Sequence, residues 1–261
     1  MKITRVLTAE GTITYGSLAE DGTVQAIEGD IFGDYTVTAQ TVVVQRTLAP
    51  VAPPNILCIG ANYRRHIEES NVKVPTAPAI FIKPTTALCH PGDPIRLPAA
   101  APEEVDYEAE LAIVIGREAR NVSQADALNY VLGYCCANDV SARDCQLRYD
   151  LQWARGKGFD TFCPLGPFVH TEVNGNALRI RSLLNGAVMQ DSSTADMLFP
   201  CEEIVSYLSH QFTLLPGTVI LTGTPEGVGM ARKPPVYLRP GDTITIEIEH
   251  LGALSNPVAA P

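Results

Sequence analysis

Val105-Asp-Tyr-Glu-Ala-Glu-Leu-Ala-Ile-Val-Ile115 begins with period-two alternation and ends in an unbroken apolar run. A strand here sets Val105, Tyr107, Ala109 and Leu111 on one face and Asp106, Glu108 and Glu110 on the other. The run Leu-Ala-Ile-Val-Ile is apolar on both faces, so the segment enters a core and its carboxylates need a partner. Glu108 and Glu110, two strand rises or roughly 6.6 Å apart, can converge on one cation from the same side. A solvated strand face is the ordinary alternative for any E-x-E. Thr243-Ile-Thr-Ile-Glu-Ile-Glu249 illustrates that alternative, with Ile244, Ile246 and Ile248 inward and Glu247 and Glu249 outward.

On either side of this segment, short strand-like runs predominate. Lys2 to Leu7, Thr12 to Leu18 and Val24 to Glu28 are separated by Glu10-Gly11 and Asp21-Gly22 turn signals. Leu48-Ala-Pro-Val-Ala-Pro-Pro54 has three prolines, which fix the backbone and remove donors, and reads as an extended connector. The boundary is placed there, giving a small N-terminal β domain over 1–50 and a larger domain over 51–261. In the larger part, strands are predicted at Ile56 to Ile59, Ala79 to Ile82, Val105 to Ile115, Val131 to Ala137, Val219 to Thr222 and Thr243 to His250. Leu178 to Gln190 reads as a hairpin turning at Asn185-Gly186. Short helices are predicted from Tyr63, from the capping pattern Ser123-x-x-Asp126, over Ser141 to Leu151, and after Pro200. The fold class is mainly β with peripheral short helices.

Composition narrows the function. With 261 residues, 20 Gly and 20 Pro, the chain is long enough for a sizeable core and turn-rich. A net charge of −10 and a pI near 4.9 exclude nucleic acid as an expected partner. No apolar run has the length of a membrane span and the N-terminus lacks a signal-peptide core, so a cytoplasmic location is expected. Seven cysteines, an odd number with no C-x-x-C pair, read as buried small hydrophobes in a reducing compartment.

Several other segments carry chemistry. Asp139 ends an apolar strand and can give a third oxygen ligand beside Glu108 and Glu110, the alternative being a helix N-cap. Three carboxylates without Cys or clustered His select a hard ion, Mg²⁺ first, with Mn²⁺ or Ca²⁺ possible. His66 and Glu69, at i and i+3, share a helical face, where a carboxylate orients an imidazole as a base; an exposed polar helix is the alternative. Arg143 and Gln146 share a face just after Asp139. Lys157, one of five lysines, sits between glycines that allow close backbone approach, or in an ordinary surface turn. The Gly-rich run Thr222 to Gly229 could cradle a carboxylate but lacks the ending of a phosphate loop.

Together the motifs G-A-N-Y-x-x-H-x-x-E (60–69), F-I-K-P (81–84), D-Y-E-A-E-L (106–111), N-D-V-S-A-R-D-C-Q (138–146), K-G-F-D-T-F-C-P (157–164), N-G-x-x-M-Q-D-S-S-T-A-D-M (185–197) and L-T-G-T-P-E-G-V-G (221–229) resemble the fumarylacetoacetate hydrolase family. The resemblance covers most of 55–258. It implies a mixed β-sandwich roll or barrel, a homodimer, and one Mg²⁺ or Mn²⁺ per site held by Glu108, Glu110 and Asp139. It further implies that His66 and Glu69 form a water-activating dyad on a mobile lid, and that Arg143, Gln146 and Lys157 stabilise developing negative charge. Thr224 matches a position that contacts the substrate carboxylate, and Lys83 is grouped with it as substrate-binding although its role is open.

The expected activity is metal-dependent cleavage of a carbon-carbon bond in a 2,4-dioxo acid or 2-oxo diacid, by acylpyruvate hydrolysis or oxaloacetate-type decarboxylation. The alternatives are an isomerase or decarboxylase of 2-hydroxymuconate-type diacids from aromatic breakdown, and a metal-binding homologue without turnover.

Overall fold

The computed structural model describes residues 1–261. The N-terminal part folds into β1 (Lys2–Thr8), β2 (Ile13–Leu18), β3 (Val24–Gly29), β4 (Tyr35–Thr41) and β5 (Val44–Leu48). There follow β6 (Ile56–Gly60), α1 (Arg64–Ser70), β7 (Ala79–Lys83), β8 (Leu88–Cys89), β9 (Ile95–Arg96), β10 (Val105–Asp106), β11 (Ala109–Ile115), β12 (Val131–Asn138) and β13 (Ser141–Ala142). The chain ends with α2 (Ala154–Lys157), β14 (Cys163–His170), β15 (Arg179–Leu184), β16 (Ala187–Ser193), α3 (Cys201–Gln211), β17 (Val219–Leu221), β18 (Thr243–Ile248) and β19 (Gly252–Ala259).

A large mixed sheet runs in the order β4-β3-β2-β1-β14-β12-β11-β17-β6-β7, and a smaller one runs β16-β15-β18-β19-β9. The first strand of the chain pairs antiparallel with β14, Lys2 opposite His170, so the N-terminal strands extend the main sheet. The two ends of that sheet, β4 and β7, do not meet: the sheets stack as layers and no barrel closes.

β11 lies between β12 and β17 and is buried along its whole length, as its apolar run requires. Alternation divides it between two cores. Leu111, Ile113 and Ile115 face the larger core, shared with Ile244, Ile246 and Ile248 of the smaller sheet and with Ile204 and Leu208 of α3. Ala112 and Val114 face a second core with Ile3, Ile56 and Leu165. Adjacent Cys135 and Cys136 on β12 likewise point into opposite cores, and all seven cysteines are free and buried.

Three local expectations change, and the alternative reading of Asp139 falls away. The strand predicted over Val105 to Ile115 is two strands in different sheets, because Glu108 N–H donates to Asn138 Oδ1 (3.0 Å) and Tyr107 N–H to Asp106 Oδ1 (2.8 Å) instead of to a neighbouring strand. Ser123 and Asp126 do hydrogen-bond each other, but only a 3-10 turn over Ala127–Tyr130 follows. The helix predicted over Ser141 to Leu151 is replaced by β13, a single π-helical turn at Cys145–Tyr149, and then α2. Asp139 is not a helix cap; Asp144 caps the π-turn instead.

Candidate active site

The break between β10 and β11 presents Glu108 beside Glu110, and β12 delivers Asp139 one residue past its end. Asp139 N–H donates to the Glu108 carbonyl at 3.0 Å, which fixes the two segments together. Carboxylate oxygens of Glu108, Glu110 and Asp139 all lie within 4.8 Å of one another, and all three side chains are buried.

Cations surround this cluster unevenly. Lys157 Nζ lies 2.7 Å from Glu108 Oε2 and 2.8 Å from Asp139 Oδ2. Arg143 Nη1 lies 2.7 Å from Glu108 Oε1 and 2.8 Å from Gln146 Oε1. Its Nε and Nη2 meet Asp106 Oδ2 at 3.0 and 2.9 Å. Burial raises the Glu108 pKa, yet Lys157 and Arg143 outweigh it and hold this carboxyl at about 2. Glu110 has no cationic contact of this kind, only Gly223 N–H at 2.7 Å. Burial, and then the charges of Asp139 and Glu108, push its pKa well above the carboxylate range. A buried carboxylate left uncompensated among two others is the electrostatic setting that a divalent cation relieves, and an all-oxygen donor set suits a hard ion.

These groups form the floor of a cavity of about 310 Å³, whose lining includes His66, Glu108, Glu110, Asp139, Arg143, Gln146, Lys157 and Thr224. Its walls are apolar, with Ile59, Ala79, Phe81 and Trp153 among them. Trp153 packs edge-on to Phe81 at 5.6 Å. A Cβ on Gly60 would sit 2.3 Å from the Trp153 ring, so this wall requires glycine there. Gly156 brings α2 against β13, where a Cβ would lie 2.8 Å from the Ala142 carbonyl; the glycines beside Lys157 thus do permit close backbone approach.

α1 brings His66 to the rim. Its Nδ1 faces Glu69 Oε2 at 3.4 Å, and Glu69 accepts from Gly227 N–H at 3.0 and 3.1 Å, which ties the pair to the Gly-rich loop. Gln146 receives Arg143 on its carbonyl oxygen and leaves its amide NH₂ without a partner inside the protein.

Two residues sit differently from expectation. Lys83 lies beneath the cavity instead of in its wall: Nζ is 2.6 Å from Asp139 Oδ1 and donates to the carbonyls of Val140 (3.2 Å), Phe162 (2.9 Å) and Lys157. A lysine has only three donors, so Lys83 props Asp139 and has nothing left for a ligand. Thr224 lines the cavity, but its hydroxyl donates to Ala109 O (2.9 Å) and accepts from Gln190 Nε2 (2.8 Å).

Sequence reasoning passed over two buried organisers. Asp106 also accepts from the backbone N–H groups of Gly229 (2.8 Å) and Met230 (3.0 Å), tying the rim residue Met230 to Arg143. Its position on the same strand face as the glutamates was the available signal. Gln190 donates to Thr224 and to Pro225 O (2.8 Å) and accepts from Ala109 N–H (3.0 Å) and Ser182 (2.9 Å), linking the hairpin to the peptide between the two glutamates.

The layered β fold carries a buried three-carboxylate cluster that could hold a metal ion under a histidine-bearing rim, and comparison with known proteins places this architecture in a family. Residues 55–259 match the fumarylacetoacetate (FAA) hydrolase C-terminal model, and residues 1–51 match the Rv2993c-like N-terminal model. The chain belongs to the fumarylacetoacetate hydrolase family. It is 50% identical over 216 residues, 81% of this chain and 67% of the other, to the mitochondrial oxaloacetate tautomerase fahd2 of Xenopus laevis. Among solved structures, 5-carboxymethyl-2-hydroxymuconate delta-isomerase from Mycobacterium smegmatis is 41% identical with a TM-score of 0.89, each chain covered completely. Fumarylacetoacetate hydrolase from Exiguobacterium antarcticum is 35% identical with a TM-score of 0.88, again over the whole of both chains. No helix is long and apolar enough to cross a membrane.

Proposed function

We propose that this protein is a divalent-metal-dependent isomerase that interconverts the enol and keto forms of 2-oxo acids of the oxaloacetate kind. The observation that carries this reading is the placement of one imidazole, His66, on the rim above the Glu108, Glu110 and Asp139 cluster. Two relatives support it: their names, oxaloacetate tautomerase and hydroxymuconate delta-isomerase, both describe proton relocation in an oxo or enol acid. Carbon-carbon cleavage, the first expectation from sequence, needs the same electron sink, so the dyad alone does not select it.

Held by Glu108, Glu110 and Asp139, Mg²⁺ or Mn²⁺ would act as a Lewis acid toward the 2-oxo group of the substrate. With Nδ1 of His66 donating to Glu69, Nε2 is left free to take a proton from carbon 3 or from the enol hydroxyl and to return it to the other atom. Lys157 uses two of its three donors on Glu108 and Asp139, leaving one for the oxygen that gains charge in the enolate. The free amide of Gln146 offers a further donor. Asp106 keeps Arg143 in register with both. Trp153, Phe81 and Ile59 exclude water from the apolar side.

The test is exchange of the carbon-3 protons of oxaloacetate in D₂O, with Mg²⁺, with Mn²⁺ and with chelator. His66→Ala is expected to lower the rate about 10²- to 10⁴-fold while leaving metal binding intact. Undiminished exchange in chelator or in His66→Ala overturns the proposal. Cleavage is the second reading, favoured by the Gln146 amide available for a second oxyanion. It releases smaller acids or CO₂, whereas tautomerisation conserves the carbon skeleton. The homodimer implied by family resemblance is part of the proposal, supported by the exposed apolar side chains Leu147, Tyr149 and Leu151; sedimentation tests it.

A further inference from the structure

The end of α1 carries two polar groups that the reaction described above does not use. Ser70, the last residue of the helix, and Lys73 both line the cavity, on the same side as His66. The Ser70 hydroxyl is buried and has no hydrogen-bond partner. A hydroxyl in that condition is costly unless something else meets it. Lys73 forms no salt bridge, whereas the cations of the floor all do: Lys157 and Arg143 are paired with Glu108, and Lys83 below them with Asp139.

The turn that follows α1 accounts for the placement. Asn71 closes the helix in the left-handed conformation, with its N–H on Glu68 O and Ile67 O, and the chain then runs along the cavity mouth through Val72, Lys73 and Pro75. Glu69, the carboxylate nearest in sequence, is directed to Gly227 and His66 and does not neutralise Lys73. The carbonyl end of α1 disfavours an anion, so the ammonium has to supply the attraction and the hydroxyl a hydrogen bond.

We infer that Ser70 and Lys73 form a subsite for the second carboxylate of the substrate, which makes the enzyme selective for 2-oxo dicarboxylates over 2-oxo monocarboxylates. This inference rests on the proposed enol–keto reading. The 2-oxo acid end lies on the acidic floor, whose cations Lys157, Arg143 and Lys83 are already paired with carboxylates. The distal carboxylate reaches the rim, where the unpaired cation stands. Lys73 binds and does not take part in proton transfer, so its contribution falls on substrate capture.

Matched substrates separate this contribution from general effects on the rim. Oxaloacetate and 2-oxobutyrate differ only in a carboxylate replacing a methyl, and 2-oxoadipate and 2-oxohexanoate form a longer pair. In Mg²⁺-saturated protein, Lys73→Met is expected to raise KM for at least one dicarboxylate about tenfold with kcat within about twofold. KM for its monocarboxylate partner stays unchanged, and Lys73→Arg restores discrimination. Ser70→Ala is expected to shift the same ratio in the same direction by a smaller factor. If Lys73→Met leaves both ratios unchanged, or raises KM equally for both members of each pair, the subsite is rejected while the enol–keto reading stands. If the wild-type protein exchanges carbon-3 protons of no 2-oxo acid, the enol–keto reading itself is rejected, and the subsite with it.

Discussion

Asp106 grips Arg143 along one edge of the guanidinium, with Nε and Nη2 at 3.0 and 2.9 Å from a single carboxylate oxygen. The opposite edge of Arg143 is thereby aimed at Glu108 and Gln146. Asp106→Asn replaces an acceptor by a donor inside a site with no exposure, and leaves a buried charge without its partner. Unfolding in urea is expected to show a loss of about 3 kcal/mol or more. Arg143→Lys is not a conservative change here, because an ammonium cannot reproduce the fork, and its loss is expected to be comparable.

Glu110 makes the opposite prediction. Its raised pKa means the folded state prefers the protonated acid, so in metal-free protein this group costs stability as pH rises above its ordinary 4.5. Glu110→Gln removes that penalty. In chelator near neutral pH its thermal midpoint is expected to equal or exceed that of wild type. On adding Mn²⁺ the order reverses, because only wild type gains stability from binding. A variant still stabilised by metal as strongly as wild type would show that Glu110 is no ligand.

Histidines outside the site set a second pH dependence. His90 Nδ1 accepts Ala49 N–H at 3.1 Å and His170 Nδ1 accepts Glu172 N–H at 3.2 Å. Burial lowers the pKa of both, over the opposing charge of Asp93 at His90 and together with the N-terminal ammonium at His170. The unfolded chain takes up these protons near 6.5 while the folded chain resists, so stability is full above that value and falls as pH drops below it. Urea midpoints at about pH 7.5 and about pH 5.5, taken in the Glu110→Gln background where that opposing carboxyl no longer titrates, measure the slope. His90→Asn keeps an acceptor that does not titrate, and is expected to flatten it.

Gln190 has all four of its hydrogen bonds inside the protein, two to the loop holding Thr224 and one to Ala109. Gln190→Leu strands several buried donors and acceptors, at a cost of about 1–3 kcal/mol for each group left unsatisfied. Because Ala109 lies between two proposed ligands, calorimetry is expected to show weaker metal binding in this variant even where it remains folded.

Features that depend on neighbouring residues were legible in the sequence. The Asn185-Gly186 hairpin and the double burial of the strand from Ala109 follow from local pattern, and the structure shows both. The carboxylates of Glu108, Glu110 and Asp139 do come together, and His66 does face Glu69. Features fixed by distant groups were not legible. The strand break at Tyr107 and Glu108 is set by Asn138, and the depth of Lys83 by carbonyls of Val140, Lys157 and Phe162. β14 was not predicted because Pro164, Gly166 and Pro167 argue against a central strand; β12 accommodates them through a register shift between Tyr134 and Cys136. Ser70 and Lys73 gave no signal, since nothing in their spacing reveals which helix end faces a cavity.

The two cores on either side of β11 have a further consequence for how such a protein can change. A shift of that strand would disturb packing on both faces at once, so the backbone beneath the floor is held in place from two sides. On the side of His66 the rim consists of one short helix and the surface segment beyond it. Residues of the segment beyond α1 can therefore be exchanged one by one without touching either core, leaving the floor and the stability of the whole molecule as they are.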